Sequence, residues 1–430
     1  MGKNNSGAED PYLHIGRKLN LLLRTGQMLM ESGADAARIV RDTRLVAANM
    51  GIPAEKFTLH ISYTTLMLNV TNGNMSYTNF KKCLNHGVDM TIISAVSKLA
   101  WRSVKEGYSL DEYERELDRI INIPKQYPTL ISVLAAGLAC GGFCKLFGCD
   151  WVAFFYTALS ASAGFWLRRI CNKLGINNYA GIAIAAFFAT FLAYLTHFLS
   201  GSATPWYPLI ACTLFIIPGM PLINAINDML NNHIVAGMTR LINTILIVGS
   251  MTFGIIIAMH VGQVSDFTSL SVGPDSKYFV EGIAAAIAAS GFAIIFNIPK
   301  RLLFLSALGG MFSICVRNFI VLYLGWGIII GAFAAATLVS LISLKIAHSM
   351  RTPVLVLAIP SVIPMIPGVL LYRLLFGIIN IKALDANAFM AVVQSGVTAV
   401  LIIIGITVGV TIPNIFAGRY LDKLSQGKYI

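Results

Sequence analysis

The chain has 430 residues, 56% of them hydrophobic and 12% charged, with 32 Lys and Arg against 20 Asp and Glu. A soluble domain carries about 25% charged residues, so this composition marks an integral membrane protein and excludes an ordinary soluble one. The net charge of +12 does not point to nucleic acid, because no basic stripe with interleaved aromatics accompanies it.

Charge is spread unevenly. Residues 1–126 hold 16 Lys and Arg and 13 Asp and Glu; residues 127–430 hold 16 and 7. The first stretch reads as a small cytoplasmic α+β domain and the remainder as membrane. Residues 1–30 show neither the short apolar core nor the small-residue cleavage site of a signal peptide, so the domain is expected on the cytoplasmic side. Leu13, Leu19, Leu22, Leu23, Met28 and Leu29 recur at roughly helical spacing. A second helix is expected after Ser32-Gly33, with one of these two near the N-cap, ending at Gly51. Phe57, Leu59, Ile61 and Tyr63 alternate, as do Leu66, Leu68 and Val70. Asn72-Gly73 is a two-residue hairpin signal, and Met75, Tyr77 and Phe80 supply the return strand. Helices are expected over 92–104 and 110–121. No catalytic constellation stands out, and His60 and His86 read as structural. The seven cysteines show no zinc spacing; Cys140 and Cys144 read as small apolar residues on one helix face. No enzyme activity, cofactor or metal is expected.

Ten apolar stretches follow, each about the 20 residues that cross a bilayer: 127–147, 151–168, 179–199, 205–226, 239–262, 278–298, 302–320, 325–346, 353–378 and 388–413. Cations in short loops orient them. With the first span entering from the inside, the inner side carries Arg168, Arg169, Lys173, Arg240, Lys300, Arg301, Lys345, Arg351, Arg419, Lys423 and Lys428. The outer side carries Lys145, Lys277, Arg317, Arg373 and Lys382. The excess places both termini in the cytoplasm.

The fourth span contains Pro218-Gly219, with Pro221 as a second breaker, and the ninth contains Pro367-Gly368. Proline removes a helix hydrogen bond and glycine loosens the turn. Freed backbone groups in a membrane must face protein or a watery cavity, and paired broken helices point to a transport site. A shift of 149 positions superposes Pro218 on Pro367, Gly219 on Gly368, Arg168 on Arg317 and Phe143 on Phe292. Each repeat would have five spans, and an odd number inverts the second copy. The expected fold is therefore a membrane all-α bundle of ten helices as a 5+5 inverted repeat. Its expected parts are 1–126, 127–263, 277–413 and a cytoplasmic tail, 414–430.

Polar residues near the breaks are the site candidates. Asn224 and Asp228 follow the first break and could share a helix face. Asp228 reads either as a solvated span end or as a coupling or gating group. Arg373, after the second break, could meet a carboxylate. Arg317 reads as a cation snorkelling to the interface or as a gate. His197 and His260 are weak candidates for proton handling.

Two runs carry a resemblance. Glu31-Ser32-Gly33-Ala34-Asp35-Ala36-Ala37-Arg38-Ile39-Val40 and Ile217-Pro218-Gly219-Met220-Pro221-Leu222-Ile223-Asn224-Ala225-Ile226-Asn227-Asp228 resemble the marks of the threonine/serine exporter family, and Pro367-Gly368 resembles its second-half mark. The resemblance implies export of L-threonine and L-serine driven by protons from the cell membrane's gradient. Some relatives split the halves into two chains linked with dicarboxylates such as succinate, so a dicarboxylate exporter is the alternative. A membrane-anchored enzyme or sensor is a third reading, disfavoured because residues 1–126 show no nucleophile-base pair or phosphate loop. The partners expected are the small substrate, protons and membrane lipid, without nucleic acid; a homo-oligomer is compatible with the sequence.

Overall fold

The structure is a computed structural model. It describes residues 11–73, 75–199, 201–263, 278–350, 352–379 and 385–426. Lys277, Arg351, Lys382 and Lys428, used above to orient the chain, lie outside the described residues, as do the side chains of Arg419 and Lys423. The chain divides into two compact units. The first takes the chain up to Lys125 together with Asp228–Arg240 and 352–353; the second takes the rest.

In the first unit, α1 (Pro11–Glu31) and α2 (Ala36–Asn49) precede an antiparallel sheet of β1 (Phe57–Ser62), β2 (Thr65–Asn72) and β3 (Met75–Lys82), in that order. Then come α3 (Met90–Glu106) and α4 (Leu110–Ile121). The alternation of β2 buries Leu66, Leu68 and Val70 in the same unit as the buried Leu22, Leu29, Ile39 and Val96, as a half-buried strand requires. The hairpin turns one residue later than the Asn72-Gly73 signal: Asn72 is still paired, with Met75, and Gly73 after it takes a positive φ of 59°. The α2 cap differs from expectation. Asp35, not Ser32 or Gly33, is the N-cap; its carboxylate accepts from Arg38 N. The chain passes through Gly33 with φ 88°, so the turn consumes Ser32-Gly33 before the helix begins. α4 opens on a reciprocal Ser109–Glu112 capping box, which satisfies two otherwise orphaned donors.

The second unit is helical: α5 (Thr129–Leu146), α6 (Trp151–Lys173), α7 (Asn178–Leu195), α8 (Tyr207–Ala211), α9 (Gly219–Leu230), α10 (Ile234–Val261), α11 (Tyr278–Ile295), α12 (Leu303–Leu322), α13 (Ile328–Met350), α14 (Val354–Val362), α15 (Gly368–Ile379) and α16 (Ala386–Gln426). Of α9 and α10, Asp228–Arg240 falls in the first unit. Among the described residues, seven helices are long and apolar enough to cross a membrane, or nine if each bent pair is one span. That is fewer than the ten expected. The expected second span is a helix, α6, but is not among them. Thr157, Ser160 and Ser162, with Arg168, Arg169 and Lys173 inside the helix, dilute its apolar character.

α5 and α11 are both 18 residues long, and their contacts are reciprocal. A Cβ on Gly142 would lie 2.7 Å from Ala284 O and 3.2 Å from Ala288 Cβ; one on Gly291 would lie 2.6 Å from Ala135 O and 2.7 Å from Ala139 Cβ. Each partner is the other's counterpart under the 149-residue shift. Late residues of each helix meet early residues of the other, so α5 and α11 run antiparallel. Only glycine permits so close a backbone approach, as is common where helices pack in membranes. Phe143 and Phe292 meet edge-on beside them, 5.9 Å apart.

Candidate functional site

Both breaks form by one local mechanism. A residue before proline is pushed away from the helical region. Ile217 (φ −57°, ψ 120°) and Ile366 (φ −65°, ψ 127°) accordingly turn extended after short 3-10 turns, Leu214–Ile216 and Ile363–Met365. Gly219 N then donates to Ile217 O at 2.8 Å, and Gly368 N to Ile366 O at 2.9 Å. The bends are 55° and 58°, and each restarted helix, α9 and α15, has 12 residues. Pro221, read above as a second breaker, sits in the first turn of α9 instead, where no helical donor is lost.

The two breaks touch. A Cβ on Gly219 would come within 2.6 Å of Ile366 Cδ1, and one on Gly368 within 2.2 Å of Ile217 Cδ1. The isoleucine before each proline therefore packs on the glycine after the other. Gly219, Gly368, Ile217 and Ile366 line one narrow apolar pocket with Phe143 and Phe292. The N-termini of α9 and α15, which carry partial positive charge, both open at this pocket.

The polar candidates are dispersed around the breaks. Asn224 is buried in α9, and Asn227 Oδ1 accepts from Thr411 Oγ1 of α16 at 2.9 Å. Arg373 in α15 holds Nε and Nη2 buried without a hydrogen-bond partner among the described residues. Its neighbour Tyr372 is buried, with its hydroxyl 3.3 Å from Met259 Sδ. Arg317 in α12 does not merely snorkel: its Nε and Nη2 donate to Asn318 Oδ1 at 3.0 and 2.8 Å. Asn318 Nδ2 in turn donates to Glu281. The sequence reading missed Glu281, although an acid three residues into an expected span is itself a signal. His197 stacks on Trp206 at 4.2 Å, and His260 is exposed.

Asp228 stands apart from these residues, in the first unit. It is fully buried, so it is not a solvated span end. Its Oδ1 accepts from Ala36 N at 2.7 Å, and its Oδ2 lies 3.0 Å from Arg240 Nε. Arg240 Nη2 donates to Ala34 O at 2.7 Å. The pair thus satisfies backbone groups at the start of α2, inside the N-terminal signature run. Arg38 Nε lies 3.4 Å from Asp35. Burial lowers the pKa of His86, with the Arg240 charge adding to the effect and Glu31 opposing it; burial also lowers that of His233 against Asp35.

Two family profiles cover most of the chain. The profile "Putative threonine/serine exporter" matches residues 20–262, and "Threonine/Serine exporter, ThrE" matches 281–416. The chain belongs to the threonine/serine exporter family. It is a multi-pass membrane protein of a transporter family. Among curated relatives, it is 22% identical to the "Threonine/serine exporter" of Corynebacterium glutamicum, over 89% of this chain and 80% of that one. It is 21% identical to the "Probable threonine/serine exporter" of Mycobacterium tuberculosis, over 87% and 72%. It is 25% identical to the "Probable succinate transporter subunit YjjP" of Klebsiella aerogenes, over 56% of this chain and 92% of that one. No solved structure matches.

Proposed function

We propose that this protein is a secondary transporter that exports small amino acids, L-threonine and L-serine, coupled to protons, by alternating access around its two broken helices. The observation that carries the reading is the reciprocal packing of the breaks, in which both Pro-Gly glycines line one pocket. Two helix N-termini and unwound backbone at one place suit a carboxylate. Ile217 and Ile366 would part to open it.

In this reading the membrane region is a ten-helix, 5+5 inverted repeat, 127–263 and 277–413, between the cytoplasmic domain 1–126 and the tail 414–430. Both termini lie in the cytoplasm of an inner or plasma membrane. The antiparallel α5–α11 pair, the equal lengths of α9 and α15, and the family profiles that meet between residues 262 and 281 support it. Pro218, Gly219, Pro367 and Gly368 shape the site. Asn224 and Arg373 present polar groups to substrate. Arg317 gates, and Asp228 holds the end of α9.

Arg373 favours a second reading. Two buried guanidinium nitrogens without a partner are costly, and a dicarboxylate such as succinate would supply one more anion than an amino acid does. In proteoliposomes loaded with substrate, threonine and serine should exchange and succinate should not. Succinate exchange without threonine exchange would replace the first reading with the second.

A further inference from the structure

Two kinds of element line the pocket at the breaks. Residues of the breaks themselves form part of it, Ile217 and Ile366 among them; the rest is aromatic, Phe143 in α5, Phe147 at its C-cap and Phe292 in α11. α5 and α11 are held together by the backbone contacts at Gly142 and Gly291, where no Cβ fits. Phe143 and Phe292 each follow one of those glycines, so the contact that joins the helices also sets the rings in place. Both rings are buried and meet edge-on, with centroids 5.9 Å apart at 90°, an arrangement that aromatic pairs favour. Phe147 lies 6.3 Å from Phe143. When Ile217 and Ile366 part in the alternating-access reading, the rings of α5 and α11 remain as the fixed wall of the opened site.

That wall is chemically one-sided. Among the described residues no polar side chain lines the pocket. Asn224 and Arg373 stand five residues beyond Gly219 and Gly368, outside this lining. The polar groups at hand are the unwound backbone and the two helix N-termini, which suit a carboxylate, so a substrate's side chain is left to the rings. With both isoleucines in place the cavity measures about 10 Å³, the room of a single water. The space for a substrate is thus made by withdrawing two isoleucine side chains, and it takes only a small side chain. A second carboxylate against the rings would be buried without a partner, at a high cost. A methyl group there would gain contact instead.

We infer that Phe143 and Phe292 are specificity-determining residues of the transport site: they contact the side chain of the bound amino acid and favour threonine over serine through its methyl group. The inference rests on the amino-acid reading above and adds which member of that substrate class is preferred. The hydroxyl is common to both substrates and does not discriminate. One carbon in an apolar pocket is worth about tenfold or somewhat more, which sets the size of the preference.

The test uses the full chain in proteoliposomes and measures kcat/KM of exchange for labelled threonine, serine and leucine, with succinate as the control for the second reading. Wild-type protein should favour threonine over serine about tenfold and leave leucine at background. Phe143→Leu and Phe292→Leu widen the wall. Each should bring the threonine-to-serine ratio below about threefold and admit leucine, a gain that loosened packing elsewhere does not produce. Phe143→Met and Phe292→Met should shift the ratio in the same direction, and they carry the test where a leucine variant is not monodisperse. A wild-type ratio without leucine exchange in the monodisperse variants overturns the inference. So does loss of all exchange in them, since either result marks the rings as packing alone. Equal kcat/KM for threonine and serine in wild-type protein also overturns it, while leaving the amino-acid reading in place. If wild-type protein exchanges succinate and not threonine, the amino-acid reading itself has failed and takes the inference with it.

Discussion

The two Pro-Gly breaks share a local backbone and differ in the chemistry placed around them. Both fall at equivalent positions, with bends of 55° and 58°, and each break plugs the other with one isoleucine. Around that frame the polar residues differ. Asn224 in the first half stands where Arg373 does in the second, and Ser132 where Glu281 does. Asp228 and Arg240 correspond to Gly377 and Phe389. The first pair is a buried ion pair holding backbone of α2. In the second half a Cβ on Gly377 would come within 2.3 Å of Val392 of α16. The Pro-Gly pairs set where the chain bends; the side chains around them differ between the two breaks.

The largest effect should come from removing a break. The double variant Pro218→Ala with Gly219→Ala permits a continuous helix and puts a methyl against Ile366. Threonine efflux should fall about tenfold or more, which needs only about 1.4 kcal/mol on the barrier. Pro367→Ala with Gly368→Ala should match it. A large inequality between the two doubles would break the symmetric account of the frame.

Next comes the asymmetric pair. Arg240→Ala leaves the Asp228 carboxylate buried without its cation and should cost about 3–5 kcal/mol, read as a lowered thermal midpoint of purified protein. Phe389→Ala, at the corresponding place, removes a 40% exposed ring and should cost much less. Equal costs would mean that the Asp228–Arg240 pair contributes nothing particular.

The α5–α11 contact is the symmetric control. Gly142→Ala and Gly291→Ala each place a methyl under 3 Å from a carbonyl oxygen, and overpacking of this kind costs about 1–3 kcal/mol. The two midpoints should drop alike.

The smallest effect is a pH dependence. The folded pKa of His86 is lowered by burial and by Arg240, so the unfolded chain binds the proton more readily. Stability from keeping His86 neutral is full above the unfolded value, near 6.5, and is lost as pH falls below it. The His86→Gln variant should lose less thermal stability than wild type between neutral and mildly acidic pH. A parallel decline would place the sensitivity in other groups.

Much of this was legible from residue order, where the cause is local. The Pro-Gly pairs announced both breaks, β2 alternation announced its buried face, and the helix expected over 110–121 is α4. What escaped depends on chain reversal. Arg240 read as a topology cation because its partner, Asp228, comes close only after the turn at Asn232, which takes a positive φ of 63°. Asp35 displaced Ser32 as the cap because the turn at Gly33 could not be placed from spacing. Arg317 read alone because Glu281, which it reaches through Asn318, sits on another helix. Pro221 read as a breaker because a proline's cost depends on which turn it occupies.

The most direct test of paired breaks forming an amino-acid path compares threonine exchange in proteoliposomes by wild-type protein and by the two double-alanine variants. The account predicts exchange by the wild type and its loss in both variants, with each still inserted and monodisperse. Wild-type exchange rates in either variant would contradict it.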